Sequence, residues 1–342
     1  MNTTQDAERV SRVTLSYASE PGDAITAAML TRHGAVATLD AITSNRPPDL
    51  PNIADDAIAD WQSRLAARLQ TRTPGIVIQS ALHYGMTIVI PGDPDWPTQL
   101  DDLPNPPVAL YVKGDPSPLG REITSIVTLA GSRAATGYGE FVTQEAVQGL
   151  VAEGFTVVSG VAYGIEGAAM RAALAAGDRP VAFLAGGLDR PYPAGHELLF
   201  DRIAEHGVVV SEVPPGMTPT KWRFMQRNRL LAAASSATVV VEAGTRSGAL
   251  HVAANAAGLG REVAAFPGPV TSANSSGTHL LISDGVAQLV TKADDIRQLV
   301  DGATPGGPAP LGGISSLPRL DPTRSRNLSS RTEATERTSI AI

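Results

Sequence analysis

Cysteine is absent from the 342 residues of this chain, so disulfide bonds, thiolate catalysis and cysteine-based zinc sites are excluded. The six histidines are scattered without the HxxxH or HExxH spacing of metal-binding helices, so we expect no metal site. No apolar run approaches the roughly 18 residues of a membrane-spanning helix, and MNTTQDAERVSR has no apolar signal segment. These absences predict a cytoplasmic protein without membrane insertion.

Aromatic residues are also scarce, at 4% of the chain, and the net charge of −7 argues against a wholly basic nucleic-acid binder. The acidity is concentrated in residues 1–115, where 8 Lys and Arg face 14 Asp and Glu. Residues 116–300 are nearly balanced, with 14 basic and 16 acidic residues, and residues 301–342 have 5 and 4. A local basic patch, rather than the net charge, therefore decides where a polyanion could bind.

One stretch of the balanced part, Lys221 to Arg229, combines clustered cations with two of the scarce aromatic residues. Its sequence, KWRFMQRNR, has four cations and includes Trp222 and Phe224, and no Asp or Glu occurs between Glu212 and Glu242. Cations interleaved with aromatic rings are typical of sites for single-stranded nucleic acid. A helix start whose arginines extend along the surface explains the same pattern, so the stretch alone leaves both interpretations open.

The N-terminal 75 residues predict a small all-helical domain. Helices are expected over 1–20, 24–44 and 53–70, with Asp23 as the N-cap of the second helix and Trp61 in the core.

The next segment, residues 71–120, is expected to be a proline-rich connection that cannot form a regular helix. It includes a short strand over 87–90 and an edge strand over 108–112.

From residue 122 onward, apolar runs alternate with helical patterns. Strands are predicted over 123–130, 156–159, 180–184, 207–211, 237–242 and 262–266. Helices are predicted over 139–153, 164–176, 195–205, 227–234 and 247–259. Continuously apolar strands alternating with helices indicate an α/β, doubly wound parallel sheet of Rossmann type over 76–300. The Gly-, Pro-, Ser- and Arg-rich residues 301–342 are expected to be a disordered tail.

The loop after the first strand of this sheet, AGSRAATGYG, opens a helix, where backbone N–H groups favour an anion. Its glycine spacing is not GxGxxG, and Ser159 and Gly160, rather than an acidic residue, end the second strand. A dinucleotide is therefore disfavoured, and we expect no cofactor. Gly131 would let a phosphate approach, Ser132 would donate a hydrogen bond and Arg133 would pair with it, although a tight turn with a surface arginine is the alternative.

The remaining strand ends add further candidates. Ser159 could cap the next helix or donate to a phosphate, and Gly160 could equally serve close packing of helix on strand. Arg246 and Ser247 lie in EAGTRSG, another helix start, with Ser247 as the expected cap. No serine has a positioned histidine and no paired carboxylates are evident, so these loops predict a binding site without catalysis.

A series of motifs occurs in a defined order along the chain. They are GSR at 131–133, SGVAYGIE at 159–166, YP at 192–193, SE at 211–212, RFMQRNRLLA at 223–232, EAGTRSGAL at 242–250, GREV at 260–263 and PGPV at 267–270. Together they resemble the DNA-processing protein A family, also called DprA or Smf, and its actinobacterial members in particular. The resemblance covers roughly residues 85–290.

The resemblance implies an extended Rossmann fold, preceded by a helical domain like the SAM domain, that binds single-stranded DNA without a cofactor. It also implies a homodimer that protects single strands and loads the recombinase RecA on them, as in natural transformation of competent cells. By position, Arg133, Lys221 and Phe224 would contact DNA. Residues 227–229, which read RNR, would line the same pocket. The predicted DNA-binding residues are Gly131, Ser132, Arg133, Ser159, Gly160, Lys221, Phe224, Arg227, Asn228, Arg229, Arg246 and Ser247.

Two features depart from the family pattern. The family motif GIDxxAH reads GIEGAAM here, so Glu166 and Met170 replace Asp and His. The winged-helix domain that ends many members is not expected after residue 300.

Two other functions fit parts of the sequence. EAGTRSGAL is similar to the GGxGTxxE motif of nucleotide phosphoribohydrolases, but Gly248 stands where their glutamate would be. A scaffold that binds RecA and has a vestigial pocket is the second alternative.

Overall fold

The computed structural model describes residues 3–44, 50–51 and 53–302. Apart from the two residues that end the last helix, the tail predicted over 301–342 lies outside the described residues. None of the helices in the described ranges combines the length and the apolar character that crossing a bilayer requires.

The described elements alternate between helices and strands after an all-helical beginning. The α-helices are α1 (Thr3–Ala18), α2 (Ala24–Thr43), α3 (Asp55–Leu69), α4 (Pro74–His83), α5 (Gly137–Ala152), α6 (Ile165–Ala175), α7 (Glu197–His206), α8 (Lys221–Ala233), α9 (Ala249–Gly258), α10 (Ser276–Ser283) and α11 (Ala293–Gly302). The strands are β1 (Thr87–Val89), β2 (Leu110–Gly114), β3 (Ile126–Ala130), β4 (Thr156–Ser159), β5 (Val181–Leu184), β6 (Val208–Ser211), β7 (Ala237–Val240), β8 (Glu262–Ala265) and β9 (Gln288–Leu289).

The strands form one sheet in the order β1-β2-β6-β5-β4-β3-β7-β8-β9. Strands β3 to β9 pair in parallel, whereas β1 and β2 are antiparallel additions at one side. The chain moves outward from β3 to β6 and then returns to place β7 on the other side of β3. This reversal leaves a crevice at the carboxyl ends of β3 and β7, where ligands bind in open α/β sheets.

Helices cover both faces of the sheet and give it two apolar cores. One core contains buried residues of α5, α6, α7 and α11, and the other contains those of α8, α9 and α10. Every residue of β3 to β7 is buried, which is why these strands read as continuous apolar runs. The predicted doubly wound α/β sheet is confirmed, and β1 and β2 extend it.

Some local predictions differ from the structure, and β9, α10 and α11 were not predicted. The strand expected at an edge, over 108–112, is β2, and it lies between β1 and β6. The connection over 71–120 contains the helix α4, because Pro74 occupies its first turn, where no backbone N–H is needed, and Val77 and Ala81 are buried on one face. The two-residue strand β9 is too short to produce a periodic pattern in the sequence.

The N-terminal helices pack around Trp61, which is 1% exposed and donates from Nε1 to Thr26 Oγ1 at 2.9 Å. Asp23 accepts from the Thr26 amide and caps α2, as predicted. Helix α1 also contributes Val13 and Tyr17 to one core of the sheet. The helical region therefore shares its packing with the sheet, and a domain boundary at residue 75 remains a prediction.

Arg223 of α8 joins this helical region to the sheet. It bonds through Nε and Nη2 to the Glu20 carboxylate at 3.0 and 3.1 Å, and through Nη1 to the Thr218 carbonyl at 2.7 Å. Burial alone would raise the pKa of Glu20, but hydrogen bonds and charges from Arg223 and Arg68 outweigh burial and lower that pKa overall. A lowered pKa means that the ionised carboxylate stabilises the fold.

The first prediction concerns this ion pair. We expect Glu20→Gln to lower the free energy of unfolding by about 1 kcal/mol at neutral pH, since the carboxylate is partly exposed. The pair stabilises the fold above the ordinary glutamate pKa of 4.5, and the stabilisation is lost as the pH falls through the lower folded-state value. Urea denaturation at a series of pH values should therefore show the two proteins converging under acid conditions.

Glu8→Gln is the matched control, because the Glu8 side chain is 32% exposed against 30% for Glu20. Its partner Arg12 lies in the same helix, so a loss of only about 0.3 kcal/mol is expected. Equal losses for the two variants at every pH would contradict a joining role for Glu20.

Candidate nucleic-acid interface

A cleft of about 960 Å³ opens at the carboxyl ends of β3 and β7. Most of the predicted DNA-binding residues line it, from three separate segments. Those that line it are Gly131, Ser132, Arg133, Lys221, Phe224, Arg227, Asn228, Arg246 and Ser247. Ser159, Gly160 and Arg229 lie outside the lining. The cleft thus coincides with the crevice that the strand order creates.

The whole stretch from Lys221 to Arg229 belongs to α8, whereas the sequence predicted a helix only from residue 227. Thr220 starts the helix early, because its side chain accepts from the Arg223 amide and satisfies a free backbone donor. Residues three, four and seven apart share one face of a helix, so Lys221, Phe224 and Asn228 all reach the cleft.

Phe224 lies at the centre of an aromatic and cationic cluster. The Arg133 guanidinium lies over its ring, 4.6 Å from the centroid, and the Arg227 guanidinium lies 5.7 Å away. The Tyr192 ring meets it edge to face, with centroids 5.8 Å apart. Cations over aromatic faces are attracted by the ring quadrupole, so these contacts orient Arg133 at the mouth of the cleft.

Three cations of the cleft, Arg133, Lys221 and Arg246, are exposed, and no carboxylate of the described residues pairs with them. They come from three different segments and surround one opening. Unpaired cations around a concave surface produce a positive potential that attracts anions. The cleft is therefore locally basic although the chain is acidic.

Arg227 is held beneath the cleft by a buried ion pair. It is 4% exposed, and its Nη1 and Nη2 donate to the Glu166 carboxylate at 3.1 to 3.3 Å. Nη1 also lies 3.3 Å from the Phe183 carbonyl, while Nε has no protein partner. The departure from the family motif at Glu166 thus has a structural role, since this side chain reaches from α6 to α8. Met170, the second departure, belongs to α6 and is fully buried in the apolar core on that face of the sheet.

Arg229 is likewise fixed by a carboxylate, because its Nη2 donates to both oxygens of Glu212 at 2.7 and 2.6 Å. Both side chains are buried. Burial raises the pKa of Glu212, and the charge and hydrogen bonds of Arg229 oppose that rise. This arrangement keeps Arg229 out of the cleft lining and makes it a structural link between α8 and the end of β6.

The helix start in the first loop was expected to bind an anion from a ligand. A carboxylate of the protein itself already occupies this position. Glu242, at the end of β7, accepts from the Thr136 amide at 2.9 Å and from the Thr136 hydroxyl at 2.6 Å. Gly139 is required there, because a Cβ would overlap the Glu242 carboxylate. Gly131 similarly makes room for the side chain of Ile165. Arg133 and Ser132 of this loop are therefore accessible to a ligand in the cleft, whereas the N-terminus of α5 is not.

Two predicted serines have local structural partners. Ser159 is fully buried and donates to the Leu129 carbonyl at 2.7 Å. Ser247 lies one residue before the N-cap of α9, Gly248, and accepts from the Ala249 amide at 3.3 Å.

Several cleft residues were not singled out from the sequence. They are Tyr192, Met225, Thr245, His251, Asn274 and Ser276. Asn274 follows β8, and the rule that ligands bind beyond the carboxyl ends of parallel strands would have indicated this loop. Tyr192 belongs to the YP motif but has no distinguishing pattern in the sequence alone.

Comparison with known proteins identifies relatives over this same region. Residues 87–301 match the model of the family described as DNA recombination-mediator protein A. A putative DNA processing protein DprA from Mycobacterium tuberculosis is 47% identical over 234 residues, which cover 65% of this chain and 60% of that protein. DNA processing protein DprA from Bacillus subtilis is 33% identical over 222 residues, or 64% of this chain and 73% of that protein. The match thus spans about 60% of the length of the mycobacterial relative.

Two solved structures share the fold. DNA processing protein A from Streptococcus pneumoniae superposes with a TM-score of 0.67 at 28% identity, covering 83% of this chain and 94% of that chain. DNA processing protein A from Helicobacter pylori, described as having a unique single-stranded DNA binding mode, gives a TM-score of 0.56 at 28% identity. That second match covers 60% of this chain and 93% of the other.

The second prediction tests the packing beneath the cleft. A Cβ at Gly160 would overlap both the Arg227 guanidinium and the Glu166 carboxylate, so Gly160→Ala should strain their ion pair. We expect the free energy of unfolding to fall by about 1–3 kcal/mol, the usual cost of overpacking, in urea denaturation. Gly120→Ala is the control, because no atom lies within 4 Å of its Cβ position. Equal stabilities for the two variants would show that the pair adjusts freely.

Proposed function

The chain belongs to the DNA recombination-mediator protein A family, and on that basis we propose that it binds single-stranded DNA in the cleft and mediates recombination. The observation that carries the proposal is the Phe224 cluster, in which an aromatic ring lies among exposed cations at one concave opening. Flexible single strands offer unpaired bases to such rings and phosphates to the cations. The single-stranded DNA binding mode described for the Helicobacter pylori relative supports the same proposal.

Each part of the cleft has a distinct role in this proposal. Arg133, Lys221 and Arg246 neutralise phosphates, since they are exposed and unpaired within the described ranges. Phe224 and the guanidinium on its face form a flat surface for a base. Asn228, on the same face of α8, adds a polar side chain, and the Arg227 guanidinium packs 5.7 Å from the centroid of the Phe224 ring. Double-stranded DNA has its bases paired and stacked, so we expect it to bind more weakly.

The geometry favours binding over the alternative of nucleotide hydrolysis. Among the described residues that line the cleft, Glu166 is the one carboxylate, and it is buried against Arg227. A carboxylate in such a pair is a poor general base, because proton uptake would leave the arginine charge buried and uncompensated. Gly248 lies in the lining where the hydrolase motif would have a glutamate.

The proposal includes the partners that the resemblance implies. The protein would act as a homodimer that protects single strands and loads RecA on them in the cytoplasm, as in natural transformation. A strand-exchange assay in which RecA must displace a single-strand binding protein tests loading directly. If the chain binds RecA but no single-stranded DNA at low salt, the alternative of a scaffold with a vestigial pocket is correct.

The third prediction concerns the exposed cations. We expect Arg133→Ala and Lys221→Ala each to weaken binding of oligo-dT, measured by fluorescence anisotropy across a range of salt concentrations. Each loses about one phosphate contact, so the slope of log K against log salt should become shallower by about 0.7. Phe224→Ala should weaken binding by about 1–3 kcal/mol with little change in slope, because stacking releases no counterions.

Arg64→Ala and Lys292→Ala are matched controls, since both side chains are more than half exposed and neither lines the cleft. They should bind as the wild-type protein does. Wild-type affinity and slope in both Arg133→Ala and Lys221→Ala would show that DNA does not bind in this cleft.

A further inference from the structure

A second group of aromatic and basic side chains lies beside the cleft and outside its lining. It consists of Tyr163, Arg171 and His196, which we call the Tyr163 patch. Tyr163 is 51% exposed, and Arg171 is exposed on α6. Several other aromatic side chains of this chain are exposed, such as Tyr84 and Phe141, so the position of Tyr163 next to the cleft, and not its exposure alone, sets it apart.

The patch is held in a fixed arrangement. The rings of Tyr163 and His196 meet edge to face, with centroids 4.7 Å apart and planes at 70°. His196 Nδ1 lies 2.9 Å from the Val161 carbonyl, which can only accept, so Nδ1 carries the proton. Nε2 is then free to accept from Arg171 Nη1, 3.4 Å away. The tyrosine ring is therefore held against His196 while about half of the side chain, 51%, remains exposed.

The patch is continuous with the cleft through two segments of backbone. Gly164, next to Tyr163, packs so closely on the Ser132 and Arg133 carbonyls that a Cβ would overlap them. Tyr192, which contacts Phe224 in the cleft, is three residues from Gly195, which packs against the Tyr163 hydroxyl. Three residues span at most about 11 Å, so the two aromatic groups are neighbours on one surface.

The combination of side chains on this surface matches what a single strand of DNA requires. Phe224, Tyr192 and Arg133 line the cleft, and the Tyr163 patch lies outside the lining, next to the backbone of Ser132 and Arg133. Strand-binding grooves alternate cations for the backbone with rings for the bases. Glu197, the exposed residue after His196, is an acidic neighbour, so the attraction of the patch must come mainly from stacking rather than from charge.

We propose that the Tyr163 patch is a second stacking subsite, which binds a base of the same single strand after it leaves the cleft past Arg133. The proposal rests on the proposed function and extends it, because it assigns DNA contacts to residues outside the cleft. A strand long enough to fill both subsites gains affinity from Tyr163, whereas a strand that fills only the cleft does not.

The test is the affinity of oligo-dT as a function of its length, from about 4 to about 16 nucleotides, the range that single-strand grooves cover. For Tyr163→Ala we expect unchanged binding of the shortest oligonucleotides and about fivefold or greater loss for the longest. Tyr163→Phe keeps the ring and should bind every length as the wild type does. Arg133→Ala should weaken binding at every length.

Tyr84→Ala is the matched control, because Tyr84 is also exposed and also meets a histidine, His83, edge to face at 5.0 Å. It should leave all lengths unaffected. If Tyr163→Ala binds long strands as the wild type does while Arg133→Ala is weakened, the second subsite is wrong and the cleft assignment stands. An equal loss at all lengths would also overturn it and make Tyr163 a support of the Arg133 loop. If Arg133→Ala, Lys221→Ala and Tyr163→Ala all bind normally, the proposed function itself fails.

Discussion

The ion pair between Arg227 and Glu166 is the interaction on which the geometry of the cleft depends. It connects α8, on one face of the sheet, to α6, on the other, next to the Phe183 carbonyl of β5 and to Gly160, which follows β4. Burying two charges is costly, and removing one partner typically destabilises a protein by about 3–5 kcal/mol because the other charge is left uncompensated. The pair also holds a cation next to Phe224, since the Arg227 guanidinium lies 5.7 Å from the centroid of its ring.

The four cations of α8 are of two kinds: three arginines are buried in ion pairs, and Lys221 is exposed. Arg223, Arg227 and Arg229 each pair with a carboxylate of another segment, through Glu20, Glu166 and Glu212. These three pairs attach one helix to the N-terminal helices, to α6 and to β6. Lys221, which precedes the three arginines in sequence, and Phe224 and Asn228, which lie between them, are left to face the cleft. A helix that is attached on its other sides would lose little conformational freedom if a ligand bound to the face that lines the cleft.

The sequence was sufficient for the fold class and the family, because both rest on patterns that are local or repeated along the chain. Continuous apolar strands predicted the buried parallel sheet, and the ordered motifs predicted the family. It was not sufficient to separate the exposed cations of the cleft from the arginines that are held in ion pairs. Arg223 and Glu20 are 203 positions apart and Arg227 and Glu166 are 61 apart, so no local pattern reveals which arginine has a partner. The Glu242 cap of α5, from 106 positions away, escaped prediction for the same reason.

The salt dependence of single-stranded DNA binding by the wild-type protein tests this division most directly. If only Arg133, Lys221 and Arg246 meet phosphates, the slope of log K against log salt should be about −2, at about 0.7 per phosphate. If the three paired arginines of α8 also release counterions, the slope should approach about −4. A slope near −4 would contradict the account, because it would mean that the buried ion pairs open to bind DNA.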